Sequence, residues 1–62
     1  MAVTIILKSG YKVINEGTAT VDEFFRNMST KEGATLSITD DNGHLRGFIV
    51  CSEVAAVLEM KE

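Results

Sequence analysis

The chain has 62 residues, enough for one domain, since a fold this small buries only roughly 60% of the surface its unfolded chain exposes. Hydrophobic residues make up 45% and charged ones 24%, the balance of a globular protein, and nine acidic against six basic side chains (net charge −3) supply no cationic surface for a phosphate backbone. One cysteine, Cys51, and one histidine, His44, all but close off disulfides and metals as the staples of a small fold, which leaves oligomerisation.

The first apolar run, VTIILK (Val3–Lys8), is too short for a signal-peptide core or a membrane span and lacks a basic leader, so a cytoplasmic protein is expected. A lone cysteine agrees with a reducing compartment. This run and YKVIN (Tyr11–Asn15) are separated by Ser9 and Gly10, which predicts a β-hairpin with a two-residue loop. Lys8 then stands opposite Tyr11, Ile6 opposite Val13, and Ile5 opposite Ile14. Ile6 and Val13 share one face; Val3, Ile5, Leu7 and Ile14 share the other.

TVDEFFRNM predicts a helix entered through Thr20, with Glu23 placed to reach back in a reciprocal capping box. Val21, Phe24, Phe25 and Met28 form its apolar stripe and are expected in the core, with Asp22, Glu23, Arg26 and Asn27 facing away. Gly33 is expected to end the helix, with Lys31 near the negative end of its dipole.

ATLSIT (Ala34–Thr39) alternates, with Leu36 and Ile38 on one face and Thr35, Ser37 and Thr39 on the other. Asn42-Gly43 predicts a type I′ turn, which pairs Asp41 with His44, Thr39 with Arg46, Ser37 with Phe48 and Thr35 with Val50. Ser52 is expected to cap a second amphipathic helix carrying Val54, Val57 and Leu58. The expected fold is α+β, order ββαββα: residues 1–62 form a single domain with a four-stranded antiparallel sheet from two hairpins and two helices on one face.

The stretch LRGFIVC sharpens this picture. Phe48, Ile49, Val50 and Cys51 are apolar in succession, so both faces of their strand need cover, while the helices reach one. Phe48, Val50, Ile6 and Val13 are left over, and each forgoes about 1.5–3 kcal/mol relative to full burial. A homo-oligomer interface at these residues is therefore expected. The alternative is that the hairpins splay, or curl into a small barrel-like sheet, and hide both faces internally.

Chemistry-bearing residues are sparse. His44 and Arg46, with Tyr11 and Lys12, could bind a small anion or nucleotide; alternatively His44 is a surface residue paired with a neighbouring aspartate. Cys51 has no base near it in sequence and reads as buried and structural. TDDNG lacks the ligand spacing of a calcium loop, adjacent Asp22 and Glu23 diverge by about 100° on a helix, and no glycine-rich phosphate loop is present. Neither an enzyme nor a cofactor nor a metal site is expected. Gly47 inside a strand signals a bulge or a close approach by another backbone.

The segment LSITDDNGHLRGFIVCSEVAAVLEM (residues 36–60), a hairpin with an Asn-Gly turn running into a serine-capped helix, resembles the small orphan proteins of bacteria, phages and prophages. The resemblance implies an oligomer that sequesters a nucleotide-type signal of host immunity, or blocks a host protein, in the host cytoplasm. Two other readings stand beside it: a small nucleic-acid-binding regulator, disfavoured by the charge, and an interaction module with no small-molecule ligand.

Overall fold

The computed structural model describes residues 2–60. Strand β1 (Ala2–Leu7) turns into β2 (Lys12–Asn15); helix α1 (Val21–Asn27) follows, then β3 (Thr35–Thr39), β4 (Leu45–Val50), a 3-10 turn (Cys51–Glu53) and β5 (Val54–Met60). The expected α+β class is adopted. The expected four-stranded sheet under two helices is not: β2, β1 and β5 form one antiparallel sheet in that order, β3 and β4 form another, and α1 is the one α-helix among the described residues.

The second expected helix is the main correction. Ser52 lies inside the 3-10 turn, and the segment after it runs as a strand along β1, with Leu58 opposite Thr4 and Val57 opposite Ile5. Val54, Val57 and Leu58 fit a helical stripe, but the valines are β-branched, and local propensity yields to tertiary demand. That demand comes from β1. The Leu7 N–H donates to the Tyr11 carbonyl at 2.9 Å, so the odd-numbered residues of β1 bond to β2 and the even-numbered ones point the other way. Without β5 their backbone groups would be left unpaired, at roughly 1–3 kcal/mol for each one that is buried. The register of β5 shifts at Ala55, which lets Val54 oppose Leu7 while Val57 opposes Ile5, and both valines pack on the core.

Both hairpins close through one device. Gly10 N–H donates to the Leu7 carbonyl at 2.8 Å and Gly43 N–H to the Asp40 carbonyl at 3.0 Å, with the glycines at φ 92° and 80°. Each loop therefore has three residues, ending in a left-handed glycine, where two were expected; Asn42 has no positive φ, so the turn is not type I′. In β1–β2 the extra residue shifts the register: Ile6 faces Lys12 and Ile5 faces Val13. A one-residue slip inverts every side chain of a strand. Val13 and Asn15 turn to the side of Val3 and Ile5, Ile14 turns outward beside Thr4, and the expected face shared by Ile6 and Val13 does not form.

In β3–β4, Asp40 rather than Asp41 pairs with His44, and Thr39 faces Leu45 rather than Arg46. Ile38 then faces Gly47, so Arg46 is the extra residue of a bulge. Beyond it the expected pairs Ser37–Phe48 and Thr35–Val50 stand.

One core cluster joins the parts: Val3, Ile5, Phe24, Leu36, Ile38 and Cys51. Thr20 Oγ1 accepts the Glu23 N–H at 3.2 Å, one half of the expected capping box. The helix stops at Asn27, not near Gly33, where Met28 N–H closes on the Phe24 and Phe25 carbonyls. Of the expected stripe only Phe24 is buried; Phe25 is 78% exposed, because it points about 100° from Phe24 and no second helix among the described residues stands beside α1 to cover it. Asn15, fully buried, ties the hairpins together: its Oδ1 accepts the Thr39 N–H at 2.7 Å. Gly17 passes so close that a Cβ there would overlap Thr39 Oγ1.

Candidate binding surfaces

The two sheets turn one face each to the shared core and leave the other face outward. On the three-stranded sheet the outward face is centred on Thr4, between Ile14 and Leu58 on the flanking strands, with Ile6 next along β1. Ile14 is 57% and Leu58 50% exposed, while Thr4 is buried beneath its neighbours with Oγ1 unpartnered. On the two-stranded sheet Phe48 and Val50 stand outward opposite Ser37 and Thr35, and Phe48 is 67% exposed. Both are expected on this face. Ile6 is on the outward side of its own sheet; Val13 is not, being packed against the core.

Sequence reasoning misses Ile14 and Leu58. A two-residue first loop would turn Ile14 inward, and a helical last segment would carry Leu58 on its stripe. The signal that points to Leu58 is the valine-rich composition of its segment, which suits a strand at least as well as a helix.

The four candidate ligand residues fall into two pairs. Tyr11 and Lys12 follow the first loop, where Lys8 N–H also donates to the Glu53 carbonyl. His44 and Arg46 follow the second loop, which lies at the other end of β2, where Asn15 holds Thr39. About 10 Å of strand separates the two ends, so one copy of the chain does not gather the four residues. His44 Nδ1 is 3.7 Å from Asp40 Oδ2, and the Asp40 carboxylate is engaged locally, Oδ1 accepting the N–H groups of Asn42 and His44 at 2.9 Å each. That arrangement stabilises the turn.

Cys51 is buried, and its N–H donates to the Ala34 carbonyl at 2.8 Å. It lies at the far end of β4 from His44, on the order of 20 Å along the strand, so thiol and imidazole form no pair. Among the described residues no three His, Cys, Asp or Glu side chains cluster in a way that could hold a metal ion, and no helix is long and apolar enough to cross a membrane.

Surface grooves border the helix. One of about 380 Å³ lies between α1 and β3, walled by Glu23 and Asn27 and floored by Phe24 and Leu36. Another, of about 240 Å³, lies between exposed Phe25 and Met28 on one side and β5 on the other. Compared with protein-family models, curated proteins and solved structures, the chain matches none.

Proposed function

We propose that this protein is a small non-enzymatic binding module that works as a homo-oligomer, its copies meeting through the outward sheet faces that carry Phe48 and Val50. The observation that supports this reading is apolar surface left uncovered: Phe48 is 67% and Val50 39% exposed on the outward face of the two-stranded sheet, and Ile14 and Leu58 are exposed on that of the three-stranded one. Full burial of such a side chain stabilises by about 1.5–3 kcal/mol, which a second copy could supply.

On this reading the binding partner is a small anionic or nucleotide-type ligand, or a host protein. A ligand held by Tyr11, Lys12, His44 and Arg46 together would need residues from two copies, because each copy keeps its two pairs apart. Self-association and ligand capture are then one property.

Light scattering on the purified chain tests the first part. The wild type is expected above 6.8 kDa, and Phe48→Asp, a change at an exposed position, is expected to return it to monomer mass with the fold intact by circular dichroism. A wild type that stays monomeric at high concentration would end the proposal. A thermal-shift panel of cyclic and linear nucleotides, with native mass spectrometry for a retained ligand, tests the second part.

A further inference from the structure

The groove between α1 and β3 has a feature that self-association does not use. Leu36 faces the core while Thr35 and Ser37 face outward, so a groove touching all three can lie only along an edge of β3, and the other edge is occupied by β4. The hydrogen-bond pattern gives that edge its chemistry. Cys51 N–H donates to the Ala34 carbonyl, which makes Ala34 and Cys51 a hydrogen-bonded pair; alternation makes Leu36–Ile49 and Ile38–Gly47 the next two. Thr35 and Ser37 therefore direct their backbone N–H and C=O away from β4, into the groove. Thr39, the next residue of the same parity, shows the direction, since its N–H reaches Asn15 Oδ1 on that side. Among the described residues the backbones of Thr35 and Ser37 have no partner outside the β3–β4 ladder.

We infer that this groove is a docking site for an extended peptide segment of a partner protein, which adds to the free edge of β3 as a further strand. A row of unpaired donors and acceptors at the two-residue repeat of a strand matches an extended backbone. An isolated segment brings no paired neighbour against the wall of α1, as the edge strand of a second copy would, and this favours a single added strand as the occupant. Side chains directed to the floor meet Phe24 and Leu36 and are apolar. Glu23 is the one ionisable side chain lining the groove, and the chain carries −3 overall, so the segment carries a Lys or Arg that faces Glu23.

The test selects linear peptides from a random phage-displayed library against the full chain, then studies the best binder by fluorescence polarisation and amide hydrogen exchange. The selected sequences are expected to pair apolar residues with a Lys or Arg, and the bound peptide to protect the Thr35 and Ser37 amides. Methylating the backbone nitrogens of the peptide at every second position is expected to weaken binding by about tenfold or more in one of the two phases and to spare it in the other, the loss corresponding to one or two hydrogen bonds. Glu23→Lys is expected to turn the selection toward acidic peptides. Protection that maps to Phe48 and Val50 instead, equal tolerance of both methylation phases, or failure of the library to enrich any binder would overturn the inference. So would concentration-dependent protection of Thr35 and Ser37 in the protein alone, which would mean that a second copy occupies the edge.

Discussion

The two hairpins close with the same three-residue loop and a left-handed glycine, yet only one of them corrects the register that this loop imposes. In β3–β4 the loop alone would set Leu36 opposite Phe48 and turn Ile49 outward; the bulge at Arg46 restores Leu36–Ile49, and Ile49 and Cys51 stay on the core side. In β1–β2 the same correction would bring Lys12 and Ile14 to the core side in place of Val13, and burying a lysine without a partner is costly. The offset is kept, and Ile14 goes to solvent. A hairpin loop thus proposes a register, and the demands of the core decide whether a bulge overrides it.

Four experiments would break or sharpen this comparison. Ile5, wholly buried between Val13 and Val57, is the residue on which the kept offset converges; Ile5→Ala is expected to cost about 2–5 kcal/mol, a large part of the whole stability of so small a fold, while Ile14→Ala is expected to move the urea midpoint little. Deleting single residues contrasts the hairpins directly. Removing Arg46 leaves every β3–β4 pair in place and is expected to cost under about 1 kcal/mol, whereas removing Lys12 forces either an inverted β2 or a two-residue Lys8-Ser9 turn with positive φ, at about 2–4 kcal/mol.

The third experiment addresses the tie between the hairpins. Asn15→Ala removes the acceptor of the Thr39 N–H and is expected to destabilise by about 1–3 kcal/mol, with the Thr39 amide losing exchange protection first. Smallest, and equal in the two loops, should be Gly10→Ala and Gly43→Ala, at about 1–2 kcal/mol each by thermal melting. A large inequality between them would show that the loops are not the same device.

Much of the candidate surface is legible in the order of the residues. The unbroken apolar run through Phe48 and Val50 announces a strand with two apolar faces, and alternation in ATLSIT says which face is which. The ligand residues are harder to place. Tyr11, Lys12, His44 and Arg46 are all turn-adjacent, and proximity to a turn carries no information on which end of the molecule that turn occupies. Glu23 and Asn27 are solvent-facing helix residues, as expected, but nothing local reveals that the edge of β3 runs beside them.

By itself the amino-acid order settled the features that rest on short-range chemistry: two glycine-closed hairpins, a helix begun at Thr20, inward Leu36 and Ile38, outward Phe48. Tertiary structure alone decided the fate of the last segment, the slip of β2, the length of α1 and the exposure of Phe25. These depend on backbone groups and side chains distant in sequence: the unpaired edge of β1 recruits β5 as a strand, and a core shared by two sheets has room for one helical face.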